Sequence, residues 1–250
     1  MITITPELAE VCGIHAGDGY LRNDGKRAEL DISGSTEEKD YYEKHVIPLF
    51  SKVFNLKIEG RLFNSRNTYG FVIRKKEIIN FMHSLGFPLG NKSTIVKIPK
   101  FVMDSNNKKM YSYFLRGLFD TDGHISFRKN YGKYIYFKRK FHNYSRIVFT
   151  SVSKDLIEDV KKLLNKLEFK YYFRTYAPKK VNENIKYIIE INGPELANKW
   201  IKTIGIKNDI KLTRYLIWKK FGFCPTNISF KERLDILSGK MDPNIFYKGL

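Results

Sequence analysis

The hydrophobic pattern of the chain switches repeatedly between helical spacing and the period of two that marks half-buried strands. In the first hundred residues Thr5 offers a cap, Pro6 fits the first turn, Glu7 complements the positive end, and Gly19 is placed for a left-handed close, which predicts a helix. Two short runs, Tyr20-Leu21-Arg22 and Glu29-Leu30-Asp31-Ile32, flank Asn23-Asp24-Gly25-Lys26 and read as a hairpin. Ser35 followed by Glu38 forms a capping box that opens a helix carrying Tyr42, Val46, Leu49, Phe50 and Val53. A second hairpin, residues 57–63 and 69–74, turns at Asn64-Ser65-Arg66-Asn67, and a short helix over 77–85 stops at Gly86.

The second half repeats this order. A helix ending near residue 123 leads into strands near 125–137 and 146–152, a helix over 153–167, a hairpin of 170–176 with 187–192, and a helix over 194–204. Gly86-Phe87-Pro88-Leu89-Gly90-Asn91-Lys92 aligns with Gly205-Ile206-Lys207-Asn208-Asp209-Ile210-Lys211. The expected fold class is therefore α+β, as tandem pseudo-symmetric α-β-β-α-β-β-α units, with halves at 1–105 and 106–250 and a pseudo-dimeric monomer as the assembly.

Each half also carries one signature at a helix end. Val11-Cys12-Gly13-Ile14-His15-Ala16-Gly17-Asp18-Gly19 and Leu115-Arg116-Gly117-Leu118-Phe119-Asp120-Thr121-Asp122-Gly123 both finish in Asp-Gly, their aspartates 104 positions apart (122 − 18). Gly13 and Gly17, like Gly117 and Thr121, leave small residues on one helix face, so two such helices can approach closely and bring Asp18 and Asp122 together. Two carboxylates at two negative helix ends repel unless a cation lies between them, and oxygen-only ligands suit Mg²⁺ or Mn²⁺.

Composition adds a partner. Lys and Arg outnumber Asp and Glu 45 to 26, a formal charge of +19 spread along 250 residues that are 42% hydrophobic, which favours a globular, phosphate-binding protein. Two cysteines, Cys12 and Cys224, are too few for a disulfide framework or a Cys-rich zinc site. With Met1 leading into a polar helix start and no signal or membrane-spanning run, a soluble, intracellular location in cytoplasm or organelle matrix is expected.

The doubled signature resembles the motif that names the LAGLIDADG homing endonucleases, over roughly residues 7–221, and the order of elements is similar to that family's unit. The second copy departs little; the first keeps Gly13, Asp18 and Gly19 but has Val11, Cys12, His15 and Ala16 where other residues are usual. The resemblance implies saddle-shaped antiparallel sheets for DNA and signature helices at the interface between units. It also implies a divalent-metal site of Asp18 and Asp122 with the carbonyls of Gly17 and Thr121, and a basic residue beside each, Lys92 and Lys211. The polar residue that leaves the first hairpin in the family falls at Gly34 and Ser151, so only Ser151 could contribute a side chain.

The implied activity is site-specific hydrolysis of double-stranded DNA at a long asymmetric target, leaving short 3′ overhangs. Candidate DNA contacts on the hairpins are Arg22, Lys26, Arg27, Arg61, Asn64, Arg66 and Arg74 in the first half, and Arg128, Lys129, Lys138, Arg139, Lys140, Ser151, Arg174, Lys179, Lys180 and Lys186 in the second. The alternative is a descendant that has lost cleavage and serves as an RNA maturase, with intron RNA as partner, or as a DNA-binding regulator. The chain reads as intron-encoded or free-standing rather than as an intein, because it lacks terminal splicing residues. His45, His83, His124 and His142 show no metal-ligand spacing, so no zinc is expected.

Overall fold

The computed structural model describes residues 2–129, 141–178, 180 and 183–247. Two units follow one another. In the first, α1 (Pro6–Asp18) leads to β1 (Gly19–Asn23) and β2 (Ala28–Ser35), a helical stretch containing α2 (Lys39–Tyr41) and α3 (Ile47–Phe54), β3 (Arg61–Phe63), β4 (Thr68–Ile73) and α4 (Lys76–Ser84). A short α5 (Lys100–Met103) joins it to the second: α6 (Lys108–Asp122), β5 (His124–Arg128), β6 (Tyr144–Ser151), α7 (Lys154–Lys166), β7 (Tyr172–Tyr176), β8 (Lys186–Asn192) and α8 (Pro194–Thr203). Two further helices, α9 (Asp209–Phe221) and α10 (Phe230–Leu237), extend past the expected end of the repeat.

Local chemistry accounts for the boundaries. The Thr5 hydroxyl accepts from the Leu8 amide at 3.2 Å, the Asn107 side chain from Lys109 at 2.9 Å, and Ser153 from Leu156 at 3.2 Å, each satisfying an otherwise orphaned first-turn N–H. The Ser35/Glu38 capping box is present. Asp24 closes the first hairpin by accepting from the amides of Lys26 and Arg27 at 3.0 and 2.7 Å. Between α2 and α3 the helix widens into a π-turn over Tyr42–Val46.

One expectation at the signature helices is corrected. Gly19 is extended, at φ −84° and ψ 150°, and Gly123 likewise at φ −75° and ψ 162°. Each helix passes straight into a strand, so no left-handed residue is needed. Glycine is required there for another reason: a methyl at Gly19 would overlap the His15 ring, and one at Gly123 the Phe119 ring.

Both sheets are antiparallel, ordered β1-β2-β4-β3 and β5-β6-β8-β7. Alternation along the strands turns Leu21, Leu30, Ile32, Phe71 and Ile73 inward in the first and Ile125, Phe127, Ile147, Phe149, Ile189 and Ile191 inward in the second. The opposite faces carry Tyr20, Arg22, Asp31 and Ser33, and Ser126, Arg146, Glu190 and Arg174. The core runs through both units without a break, and its midline is the packing of α1 against α6.

Candidate active site

The seam between the units is built on glycine. A methyl at Gly13 would overlap the Phe114 carbonyl oxygen, and one at Gly117 the Glu10 carbonyl oxygen, so each helix rests on the other's backbone through a reciprocal pair of glycines. A methyl at Gly17 would overlap the Thr121 side chain and lie 3.3 Å from the Asp122 carboxyl carbon. The helix ends are thereby held side by side, near enough for the charge of Asp122 to act on Asp18.

Further along the seam sits a buried ion cluster. Glu10, 1% exposed, accepts from Arg116 Nε at 2.8 Å and Nη2 at 2.5 Å, and from His45 Nε2 at 2.7 Å. Arg116 holds the Glu10 carboxyl below its ordinary range against the opposing effect of burial.

The expected basic residues are in place, with a more specific role than sequence conveys. Lys92 Nζ donates to the Gly17 carbonyl at 2.6 Å. Lys211 Nζ donates to the carbonyls of Phe119, Asp120 and Thr121 at 2.7, 2.8 and 2.7 Å. Each ammonium therefore caps the negative end of a signature helix, in opposite units, beside the aspartate that ends it. The repulsion foreseen between two helix ends is relieved by two lysines already in the protein. Burial lowers the pKa of both lysines, against the pull of Asp18 and Asp122.

The two aspartates differ in their surroundings. Asp18 Oδ2 accepts from the Tyr42 hydroxyl at 2.7 Å, and Tyr42 is delivered by the π-turn. Removal from water, reinforced by the charges of Asp122 and Glu38, pushes the Asp18 carboxyl up to about 7 despite that hydrogen bond. Asp122 is raised by the same loss of water and held back by Lys92 and Lys211. It lines a cleft shared with Ala16, Gly17, Lys92, Thr150 and Ser151.

At Gly34 the structure explains a missing side chain. A methyl there would stand 2.8 Å from Glu38 Oε2, 2.9 Å from Asp18 Oδ2 and 3.0 Å from the Tyr42 hydroxyl. Three oxygens of the first half occupy the space beside Gly34, whereas Ser151 lines the cleft of Asp122. Sequence reading missed Tyr42 and Glu38 as neighbours of the site, because nothing in a helical pattern marks a π-turn.

It also missed Asn208, fully buried, which donates to Glu38 Oε1 at 2.6 Å and to the Asp120 carbonyl at 2.8 Å and so ties the halves together. Asp120, likewise fully buried, accepts from the Lys207 amide at 2.9 Å and is pushed up to about 7 by burial.

The donor set is consistent with a hard divalent cation. Asp18 and Asp122 end the two helices next to the Gly17 and Thr121 carbonyls, and every donor in that set is oxygen. The Gly17 and Thr121 carbonyls proposed as ligands each already accept from an ammonium, which leaves one lone pair apiece. Among the described residues no group of three or more His, Cys, Asp or Glu forms a metal cage.

The hairpin residues lie on or beside the outward sheet faces. Arg22 pairs with Asp24 at 2.5 Å, Arg66 with Asp31 at 2.9 Å and Arg74 with Glu29 at 2.9 Å, while Arg61 covers the Phe63 ring at 4.7 Å. Lys26 and Arg27 sit in the first turn and Asn64 in the second. Arg128, Arg174 and Lys186 lie on β5, β7 and β8; Lys129 follows β5, and exposed Lys180 is 4.0 Å from Glu183. Lys138, Arg139, Lys140 and Lys179 lie outside the described residues. Arg146, absent from the sequence-based set, is also on the outward face of β6. Among the described residues no helix is long and apolar enough to cross a membrane.

Two such units, joined through glycine-bearing helices that each end in a carboxylate, define a class of single-chain, two-unit proteins. Residues 109–205 match the family model described as a LAGLIDADG-like domain. The fold is shared with the homing endonuclease I-DmoI in complex with DNA and Mn, at a TM-score of 0.54 and 16% identity over 80% of this chain and 96% of that one. It is shared also with the meganuclease I-SmaMI bound to uncleaveable DNA, at 0.52 and 13% over 95% of this chain and 98% of that one.

Among curated proteins of Methanocaldococcus jannaschii, the replication factor C small subunit is 28% identical over 84% of this chain, and glutamine–fructose-6-phosphate aminotransferase 34% over 49%. The chain spans a tenth of the length of each. The family-model match falls within the second unit, and the first unit repeats its order of elements.

Proposed function

We propose that the protein is a divalent-metal-dependent, site-specific endonuclease of double-stranded DNA, cutting a long asymmetric target to leave short 3′ overhangs. The observation that carries this reading is the close packing, at Gly17, of two helix ends that finish in Asp18 and Asp122, with a lysine ammonium on the carbonyl before each aspartate. The matched segment occupies a small part of curated relatives whose names are unrelated, which supports a mobile element rather than a module of any one of those activities.

In this reading Asp18 and Asp122 would hold Mg²⁺ or Mn²⁺, together with the Gly17 and Thr121 carbonyls. A bound divalent cation supplies Lewis acidity and neutralises phosphate charge. Lys92 and Lys211 then stand where charge develops on a scissile phosphate and stabilise it. Tyr42 fixes the orientation of Asp18, and Ser151, in the cleft of Asp122, orients water on that side only. The two sheets grip successive major-groove stretches through their outward arginines and lysines.

The test uses duplex DNA spanning the rejoined junction at which the protein's own gene is inserted, with Mg²⁺. Wild type is expected to break both strands. Asp18→Asn and Asp122→Asn should each slow the double-strand break about 100-fold or more while retaining binding. Tight binding by the wild type without any cut would overturn the enzyme reading and favour a DNA-binding descendant.

A further inference from the structure

The outward face of the second sheet contains a charge arrangement that the first lacks. Glu190 on β8 lies between Val148 of β6 and Tyr172 of β7 in the strand register. Its two partners sit diagonally on either side: Arg146, opposite Asn192, and Arg174, opposite Ile188. Arg146 Nη1 donates to Glu190 Oε1 at 2.9 Å, and Arg174 Nε and Nη2 donate to the same oxygen at 3.1 Å each. Arg146 Nε also donates to the Ser126 hydroxyl at 3.3 Å.

Burial divides these groups by role. The Glu190 side chain is 6% exposed and that of Arg146 14%, whereas Arg174 is 39% exposed. Every arginine pair on the first sheet joins a more open acid, at 15–41% exposure. An arginine paired only with an open acid is held weakly. Arg174 has committed its Nε–Nη2 edge to a buried carboxylate that Arg146 pins from the other side. Its end-on Nη1–Nη2 edge is left in a fixed direction, and two parallel N–H groups in fixed geometry match the O6 and N7 acceptors that only guanine shows in the major groove.

We infer that Arg174 is a specificity-determining residue of the second half, reading one guanine in the target, and that Glu190 is the positioning residue that aims it. The inference rests on the proposed DNA-cleaving reading for its substrate. It assigns Glu190 a cost as well: the carboxylate removes one positive charge from a DNA-facing surface, so it weakens non-specific binding in return for discrimination.

The experiment is selection of bound duplexes from a library of randomised sequence by the full chain in EDTA, where nothing is cut. Wild type, Arg174→Ala, Arg174→Lys and Glu190→Gln are compared, with thermal unfolding as the folding control. Wild type should fix a guanine in one half-site. All three variants should lose about tenfold of that preference at that base pair alone. Glu190→Gln should bind unselected duplex more tightly, with a salt slope steeper by up to about one.

A Glu190→Gln protein that selects the same guanine as wild type would overturn the inference, as would loss of preference spread over both half-sites. Selection of no sequence by the wild type would instead remove the DNA-reading function on which the inference stands.

Discussion

A methyl group is the smallest side chain that could be added to the seam, and the seam has no room for it. Gly13→Ala drives a methyl into the Phe114 carbonyl, which is backbone and cannot swing aside. The helices must part, at a cost of about 1–3 kcal/mol or more. Urea unfolding should show that loss, and an unchanged midpoint would refute the contact. The small-residue face of both signature helices was legible from residue spacing alone, and so were Asp18, Asp122, Lys92 and Lys211, because the repeat supplied each with a counterpart. Tyr42, Glu38 and Asn208 have no counterpart at the matching place in the other half, and no pattern points to them.

Between elements, one charged pair crosses the apolar packing of α1 on α6. Glu10 of α1 and Arg116 of α6 form a bidentate pair sealed from water. Arg116→Met alone leaves a buried carboxylate with only His45, and should cost about 3–5 kcal/mol; adding Glu10→Leu should restore most of it. A double-mutant cycle by chemical denaturation measures this, and additive losses would show that the pair is not coupled.

The order of elements in the repeat was legible through α8, the short α5 apart, because hydrophobic period and turn residues mark its members. The π-turn was invisible, since its hydrophobic spacing hardly differs from that of an α-helix. Helices α9 and α10 went unread for a different reason: α9 packs on β5 with one side and on α10 with another, so its apolar residues form no single stripe.

For the whole molecule, the buried carboxyls set an unusual pH response in the absence of metal. Asp18 and Asp120 are raised to about 7 from an ordinary 3.8, so between these values the folded state binds more protons than the unfolded chain. Their contribution is complete below about pH 4 and is lost as pH rises through 7. Glu10, with a lowered pKa, acts in the opposite sense and weakens the fold as pH falls below 4.5. Buried His15, pushed down to about 3 from 6.5, opposes Asp18 and Asp120 between pH 5 and 6.5, but two carboxyls outweigh one imidazole. In EDTA, the melting temperature should therefore be higher at pH 5 than at pH 8, and Mg²⁺ at pH 8 should recover part of the difference by mass action. A melting temperature that is flat or rises from pH 5 to pH 8 would contradict the assignment.

The reciprocal glycine contact also bears on how such a molecule can age. Gly13 lies against the backbone at Phe114, and Gly117 against that at Glu10, so each half constrains the other at this pair of positions. His15, by contrast, turns into its own half, its ring 4.4 Å from that of Phe87. A change at His15 meets only its own half, whereas one at Gly13 or Gly117 meets both.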